Sequence, residues 1–209
     1  MATIMRRTES PIEWAEIKEA VQAGKVAELL SVGDEIAETL ATGEHAVFVV
    51  AGIGVYEENQ VIFSLKDCLA EEYYMNKDWT NKGGWPACDM RRHLTEDVFP
   101  TLPDSLKAVI TPRLLTTDDG TAEDELWLFS EKEIFGEDWC DGDPDDKHIP
   151  YYQNPVNRVK RDRDGDQTWW WERSPYANAS TAFCYVTSGG GASGSIASTS
   201  RGVCFGFCI

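Results

Sequence analysis

The side chains of this chain best suited to hold a metal or attack a substrate are six cysteines (Cys68, Cys88, Cys140, Cys184, Cys204, Cys208) and three histidines (His45, His93, His148). Their spacing sets what they can do. No Cys-x-x-Cys pair occurs, and the histidines sit in unrelated contexts, which argues against a zinc ribbon or finger. On one strand, Cys204 and Cys208 would lie about 13 Å apart at ~3.3 Å per residue, too far to bridge each other. Cys184 could meet one of them across a sheet. The favoured expectation is reduced thiols packed as small hydrophobes.

Carboxylates crowd the segment Asp138, Asp141, Asp143, Asp145 and Asp146, and arginine and lysine follow at Arg158, Lys160, Arg161 and Arg163. An EF-hand starting at Asp141 fails, because position 6 is Asp146 where the turn needs Gly and position 12 is Tyr152 where calcium needs a bidentate Glu. A solvated acidic loop is the expectation, with a looser calcium site as the alternative. No phosphate-cradling Gly-x-x-x-x-Gly-Lys-Ser/Thr loop, His-Glu-x-x-His or Gly-x-Ser-x-Gly elbow is present. Gly189-Gly190-Gly191 has no helix after it to present amide donors. No catalytic residue, metal ligand or cofactor is therefore assigned.

The remaining chemistry is that of contact surfaces. Trp169-Trp170-Trp171 could stack on sugar rings, although alternation along a strand turns at least one ring inward. Behind it runs a tract of small and polar residues from Ala177 to Gly202, closed by the apolar Val203-Cys204-Phe205-Gly206-Phe207-Cys208-Ile209. A flexible linker would join two modules. One apolar strand is too short to be a module, so loops and short strands returning to a core are expected instead.

These surfaces need a scaffold. With 209 residues and 42% hydrophobic content, the chain can bury one core. Its formal charge of −17 disfavours nucleic acid and anionic lipid surfaces as partners. No apolar run follows Met1 to Arg7, which is read as synthesis in the cytoplasm without a signal peptide, and Ala46 to Gly54 is too short for membrane insertion. Ser10-Pro11-Ile12-Glu13 predicts a helix start, with Trp14, Ile17 and Val21 on one face and a stop at Gly24. This divides the chain into an N-terminal helix, 1–25, and a domain, 26–209. Whether the helix also mediates oligomerisation is left open.

Strands are expected at Ala46–Ala51, Val61–Leu65 with a hairpin turn at Glu57–Gln60, Val109–Leu115 and Leu126–Phe129. A weaker strand signal, broken at Gly33-Asp34, covers Leu29 to Leu40. Helices are expected near Trp85–Leu94 and Asp104–Ala108, and a second capping box, Ser130-Glu131-Lys132-Glu133, opens a helix ending near Gly136. The long loop from Gly136 to Gln167 is to be packed by its own Trp139, Tyr151 and Tyr152. The fold class is α+β, with small antiparallel sheets, short helices and long loops.

Several short motifs occur in the order of a known group. Trp85 to Arg91 resembles a Trp-x-x-Ser-x-x-Arg helix start, Leu126 to Glu133 a Leu-Leu-Ser-x-x-Glu step, and Trp170 to Pro175 a Tyr-Trp-Leu-Arg-Ser-Pro step. With Val32-Gly33-Asp34 and the strand near Val49, they are similar to bacterial and phage C-type-lectin-like domains related to the formylglycine-generating enzyme (sulfatase-modifying factor) fold. Within that group, Arg201 to Ile209 resembles the Arg-Gly-Val-Arg-Pro-Ala-Phe-Cys-Ile close of variable proteins diversified by retroelements, with Cys204 and Phe205 in place of Arg-Pro.

The resemblance implies a non-enzymatic ligand-binding protein with a variable region at about 176–201. Its ligand would be a variable protein or a carbohydrate, with display on a phage particle or cell surface. The implied contacts are Trp169, Trp171, Tyr176, Asn178, Ser180, Thr181, Tyr185, Ser188, Gly190, Ser193, Ser195, Ile196, Thr199 and Ser200, with Tyr151 and Tyr152 at the rim and Tyr176, Tyr185 and Asn178 strongest. Two alternatives follow from the same resemblance. One is a copper oxidase using Cys184 with Cys204 or Cys208; the other is a calcium-dependent lectin.

Overall fold

A computed structural model describes residues 12–137 and 146–209. Ser10 and Pro11, and the residues Asp138, Trp139, Cys140, Asp141, Asp143 and Asp145, lie outside the described residues. The protein is an α+β fold of short helices and small antiparallel sheets.

Helix α1 (Trp14–Gln22) starts after Glu13, an extended N-cap whose carbonyl accepts from the Glu16 and Ile17 amides. The helix therefore begins beyond the predicted Ser-Pro start. It buries Trp14 and Ile17. The Trp14 ring meets Phe48, Phe63 and Phe207 edge-on, at 6.2, 5.3 and 6.0 Å between centroids. Helix α1 is thus part of the domain's own core.

Gly24 (φ +69) ends this helix, α2 (Val26–Leu29) follows, and the weak strand signal over Leu29 to Leu40 contains the strand Glu35–Thr39. Strands β1 (Glu35–Thr39), β2 (His45–Ile53) and β3 (Val61–Leu65) form an antiparallel meander. Every residue of β3 is buried, so both of its faces carry apolar side chains and simple alternation is lost.

The middle of the chain holds α3 (Gly84–Ala87), α4 (Asp89–His93), α5 (Asp104–Lys107), the hairpin β4 (Arg113–Thr117) with β5 (Gly120–Asp124), β6 (Trp127–Leu128) and α6 (Glu131–Phe135). α6 opens with the capping box predicted from the sequence. Ser130 Oγ accepts the Glu133 amide, Glu133 accepts the Ser130 amide, and Gly136 (φ +79) closes the helix.

The tail supplies β7 (Lys160–Arg161), β8 (Gln167–Thr168), β9 (Trp170–Pro175), β10 (Ala182–Val186), β11 (Ala192–Ile196) and β12 (Phe205–Cys208). β12 inserts between β3 and β6 in a five-stranded sheet of order β1-β2-β3-β12-β6, whereas β9, β10 and β11 form a separate three-stranded sheet of order β11-β10-β9. The closing apolar segment is central to the main core. The small-residue tract lies between two structural members.

Candidate functional site

The Trp85–Arg91 and Ser130–Glu133 motifs and the Arg173 step each hold a buried polar contact. Trp85 Nε1 donates to Asp124 Oδ2 at 2.8 Å and Arg91 Nε to Asp124 Oδ1 at 2.7 Å, so two residues six apart in sequence converge on the end of β5. Cys88, between them, caps α4 by accepting the Arg91 amide. Arg173 Nη1 donates to Glu133 Oε2 at 2.5 Å and to the Leu128 carbonyl at 2.8 Å, and its Nη2 donates to Asp146. Arg113 completes the square, 2.7 Å from Glu133 and 3.2 Å from Asp146.

Burial pushes the Glu133 carboxyl up, but Arg173 and Arg113, helped by the Tyr56 hydroxyl at 2.7 Å, reverse this and hold it at about 2. Burial and Glu133 raise the Tyr56 phenol. Its hydroxyl therefore donates rather than ionises. Two arginines and two carboxylates in mutual contact form a closed set that locks β9 to α6.

β9 bulges beside this set. Phe183 pairs with Pro175 and Tyr185 with Trp171, so Glu172, Arg173 and Ser174 stand opposite Cys184 alone. Arg173 joins the ion network and Ser174 Oγ accepts the Glu131 amide at 3.1 Å. Glu172 is fully buried, and neither carboxyl oxygen has a hydrogen-bond partner. Burial, then Glu131, pushes its carboxyl well above the usual range, with Arg173 acting the other way.

Beyond the bulge, the tract folds as a hairpin. Its turn is closed by Thr187 N to Gly191 O at 2.7 Å and Gly190 N to Thr187 O at 2.8 Å, with Gly190 at φ +82. Asn178, Ser180, Thr181, Ile196 and Ser200 are exposed, and Tyr176, Ser188, Ser193, Ser195 and Thr199 are half-buried. Phe183, Cys184, Val186 and Ala197 are buried among them. In the hairpin β10 is buried throughout, whereas β11 is half-buried to exposed.

Pairing splits the predicted contacts between two faces. Tyr185 pairs with Ser193 and Phe183 with Ser195, which puts both serines on the face of Trp171 and Tyr185. Tyr176 covers the opposite face at Gly194, where a Cβ would stand 2.7 Å from its ring. On that side Tyr176 and Ser180 join Asn81, Lys82, Thr117 and Asp119 around a cleft of about 320 Å³. Asn81 fastens the loop by donating to the Ala179 and Ala182 carbonyls at 3.0 and 2.9 Å.

Four expected contacts are placed differently. Trp171 has no exposed surface and donates to the Tyr73 carbonyl, so it belongs to the core. Gly190 is buried against Pro155 and Val159. Tyr152 is buried beneath Phe129 and Trp170, with its hydroxyl on Ser64, so it cannot form a rim. Tyr185 is only 8% exposed and supports the surface rather than forming it. Trp169, by contrast, is 45% exposed and its indole donates to Ser188 Oγ at 3.1 Å.

Sequence reasoning missed Trp79, which is 71% exposed on the loop that Asn81 anchors to the tract. Neither periodicity nor motif marks that tryptophan. It also missed Arg201, whose guanidinium carbon lies 4.5 Å from the Trp169 ring centroid and 4.2 Å from that of Tyr185.

The cysteines do not assemble into a pair of the expected kind. Cys68, Cys88, Cys204 and Cys208 are free thiols, whereas Cys184 is disulfide-bonded, which corrects the expectation that all are reduced. Cys204 donates to the Leu65 carbonyl and Cys208 to the Thr111 carbonyl, both away from the three-stranded sheet. Among the described residues no group of three His, Cys, Asp or Glu is placed to hold a metal ion, and no helix is long and apolar enough to cross a membrane.

Neither a curated protein nor a solved structure matches the chain. A family model described as a domain of unknown function, DUF6273, matches residues 58–209. The match begins after β2, so α1 and the first two strands of the main sheet lie outside it, although Trp14 and Phe48 pack directly on Phe63 and Phe207 within it. The matched span covers most of the chain, including the motifs from Trp85 onward and the hairpin, and the chain belongs to the DUF6273 family.

Proposed function

We propose that this protein is a non-enzymatic ligand-binding protein with a C-type-lectin-like scaffold, displaying a retroelement-diversified tract at 176–201 to a protein or carbohydrate ligand. The observation that carries this reading is the division of the tract into a buried strand and exposed positions on either side of it. Exposed Asn178, Ser180 and Thr181 precede the continuously buried strand Ala182–Val186, which includes Phe183, Cys184 and Val186, and exposed Ile196 and Ser200 flank buried Ala197. Side chains at the exposed positions can change without disturbing the buried ones, as diversification requires. Trp169, Trp79 and the cleft beside Tyr176 add aromatic and polar surface at the same hairpin.

Display on a phage particle or a cell surface is part of the same proposal. The cysteine oxidase alternative gains no support from thiols that hydrogen-bond separately to Leu65 and Thr111. The test is comparative sequencing of closely related loci together with the DNA downstream. Substitutions concentrated at adenine-rich codons of exposed tract positions, beside a near-copy of the last codons, are the expected result. Substitutions scattered evenly through the gene would remove the reading.

A further inference from the structure

Arg201 carries a charge that no carboxylate among the described residues meets in an ion pair. Arg91, Arg113 and Arg173 each rest on a carboxylate. Arg201 instead sits in a cradle of three rings, its Cζ 4.2 Å from the Tyr185 centroid, 4.5 Å from Trp169 and 5.5 Å from Trp171. Ring faces attract the charge but accept no conventional in-plane N–H bond. Its Nη2 donates to Ser195 Oγ at 2.8 Å, whereas Nε is buried without an acceptor. Burial lowers its pKa, with Tyr185 and Glu72 acting weakly the other way.

The position is rigid. Arg201 and Tyr73 exchange backbone hydrogen bonds at 3.0 Å, and Gly202 N donates to the Trp169 carbonyl at 2.9 Å. A desolvated, preorganised guanidinium beside an exposed indole is poorly used by one serine hydroxyl. A planar carboxylate matches its remaining donors, and two parallel charge-assisted bonds are the strong form of that contact.

Taking the tract as the binding face, we infer that Arg201 anchors an anionic subsite. It receives a carboxylate of the ligand on the Nη N–H groups that Ser195 leaves unused, while Trp169 stacks on the adjoining apolar part. The carboxylate could belong to an acidic sugar or to an acidic peptide side chain. The chemistry of the subsite is common to both.

The test is a titration of the full chain with glucuronate, N-acetylglutamate and glucose, read from the Trp169 indole N–H resonance. A saturable shift with at least one acid and none with glucose is expected, weakened about tenfold or more in Arg201→Met and less in Arg201→Lys, which keeps the charge but loses the fork. The partial loss in Arg201→Lys keeps the test decisive if Arg201→Met fails to fold. A stronger response to glucuronate assigns an acidic sugar, and a stronger response to N-acetylglutamate an acidic peptide.

No saturable shift with either acid, an equal shift with glucose, or full binding in the Arg201→Lys and Arg201→Met proteins would overturn the subsite. The comparison of loci is independent. Codon variation without carboxylate binding removes this subsite alone, and carboxylate binding without codon variation removes the variable-display reading.

Discussion

The two larger sheets are held together by different physics. The five-stranded sheet is closed by apolar area, with Trp14, Phe48, Phe63, Phe205 and Phe207 in one aromatic cluster. The three-stranded sheet is fixed at one edge by buried charge, through Arg173 on Glu133 and Asp146, and opens at the other into the half-exposed strand β11. Apolar packing penalises almost any change of volume. A sheet pinned along one strand leaves its far strand tolerant. The contrast explains how one small fold combines a tightly packed body with a half-exposed strand.

The contrast should break most sharply where a single substitution removes a whole anchor. Trp14→Ala should lower stability by ~3–5 kcal/mol in denaturant unfolding by emptying the aromatic cluster. Arg173→Met should cost a comparable ~3–5 kcal/mol, because it leaves Glu133 and Asp146 buried with half their compensation. A loss below about 1 kcal/mol for Arg173→Met would mean that the charge set does not hold the three-stranded sheet.

The bulge sharpens the comparison with the opposite sign. Replacing Glu172 by Leu should raise stability at pH 7 by about 1–3 kcal/mol, since it removes a buried carboxyl without hydrogen-bond partners. A carboxyl raised in the folded state binds its proton more tightly there than in the unfolded chain. Its contribution is therefore present below the unfolded value of about 4.3 and is lost as pH rises toward the folded value. The gain from Glu172→Leu should be larger at pH 7 than at pH 4, and a gain that grows on acidification would refute this account.

Glu133 works the other way. Its carboxyl is held at about 2, so its stabilisation is full above about 4.3 and is lost as pH falls through 2. Glu133→Gln should lower the melting temperature at pH 7 and flatten the acid limb of the stability profile. The smallest effects belong to the hairpin. Asn178→Ser, Thr181→Ala and Ile196→Thr should each change stability by no more than about 0.5 kcal/mol while altering ligand binding.

Features set by neighbours in the chain were legible in the sequence. The capping box at Ser130–Glu133 and its Gly136 stop, the antiparallel pair around Glu57–Gln60 and the return of the tail into the core all depend on local propensity and apolar pattern. The first helix was read two or three residues early, because Ser-Pro-x-Glu is a strong start signal and Glu13 takes the N-cap instead. Strand β5 was missed because Gly120-Thr121-Ala122-Glu123-Asp124 shows almost no apolar alternation and is placed by its pairing with β4. Of the site, the exposed small residues were legible, but Trp79 and Arg201 were not. Nothing local distinguishes a tryptophan that packs from one that stands in solvent.

Sequence by itself determined the α+β class, the ends of its clearest helix and the location of the small-residue tract, because each follows from residue types within a few positions of one another. Tertiary structure decided that Trp85 and Arg91 share Asp124, that Arg113 and Arg173 close on Glu133 and Asp146, and that Trp171 is core while Trp169 is surface. It also decided that Arg201 lies among aromatic rings, with no carboxylate ion pair among the described residues. The reason is that burial and electrostatic pairing depend on which distant segments meet, and those meetings are fixed by the packing of the whole chain.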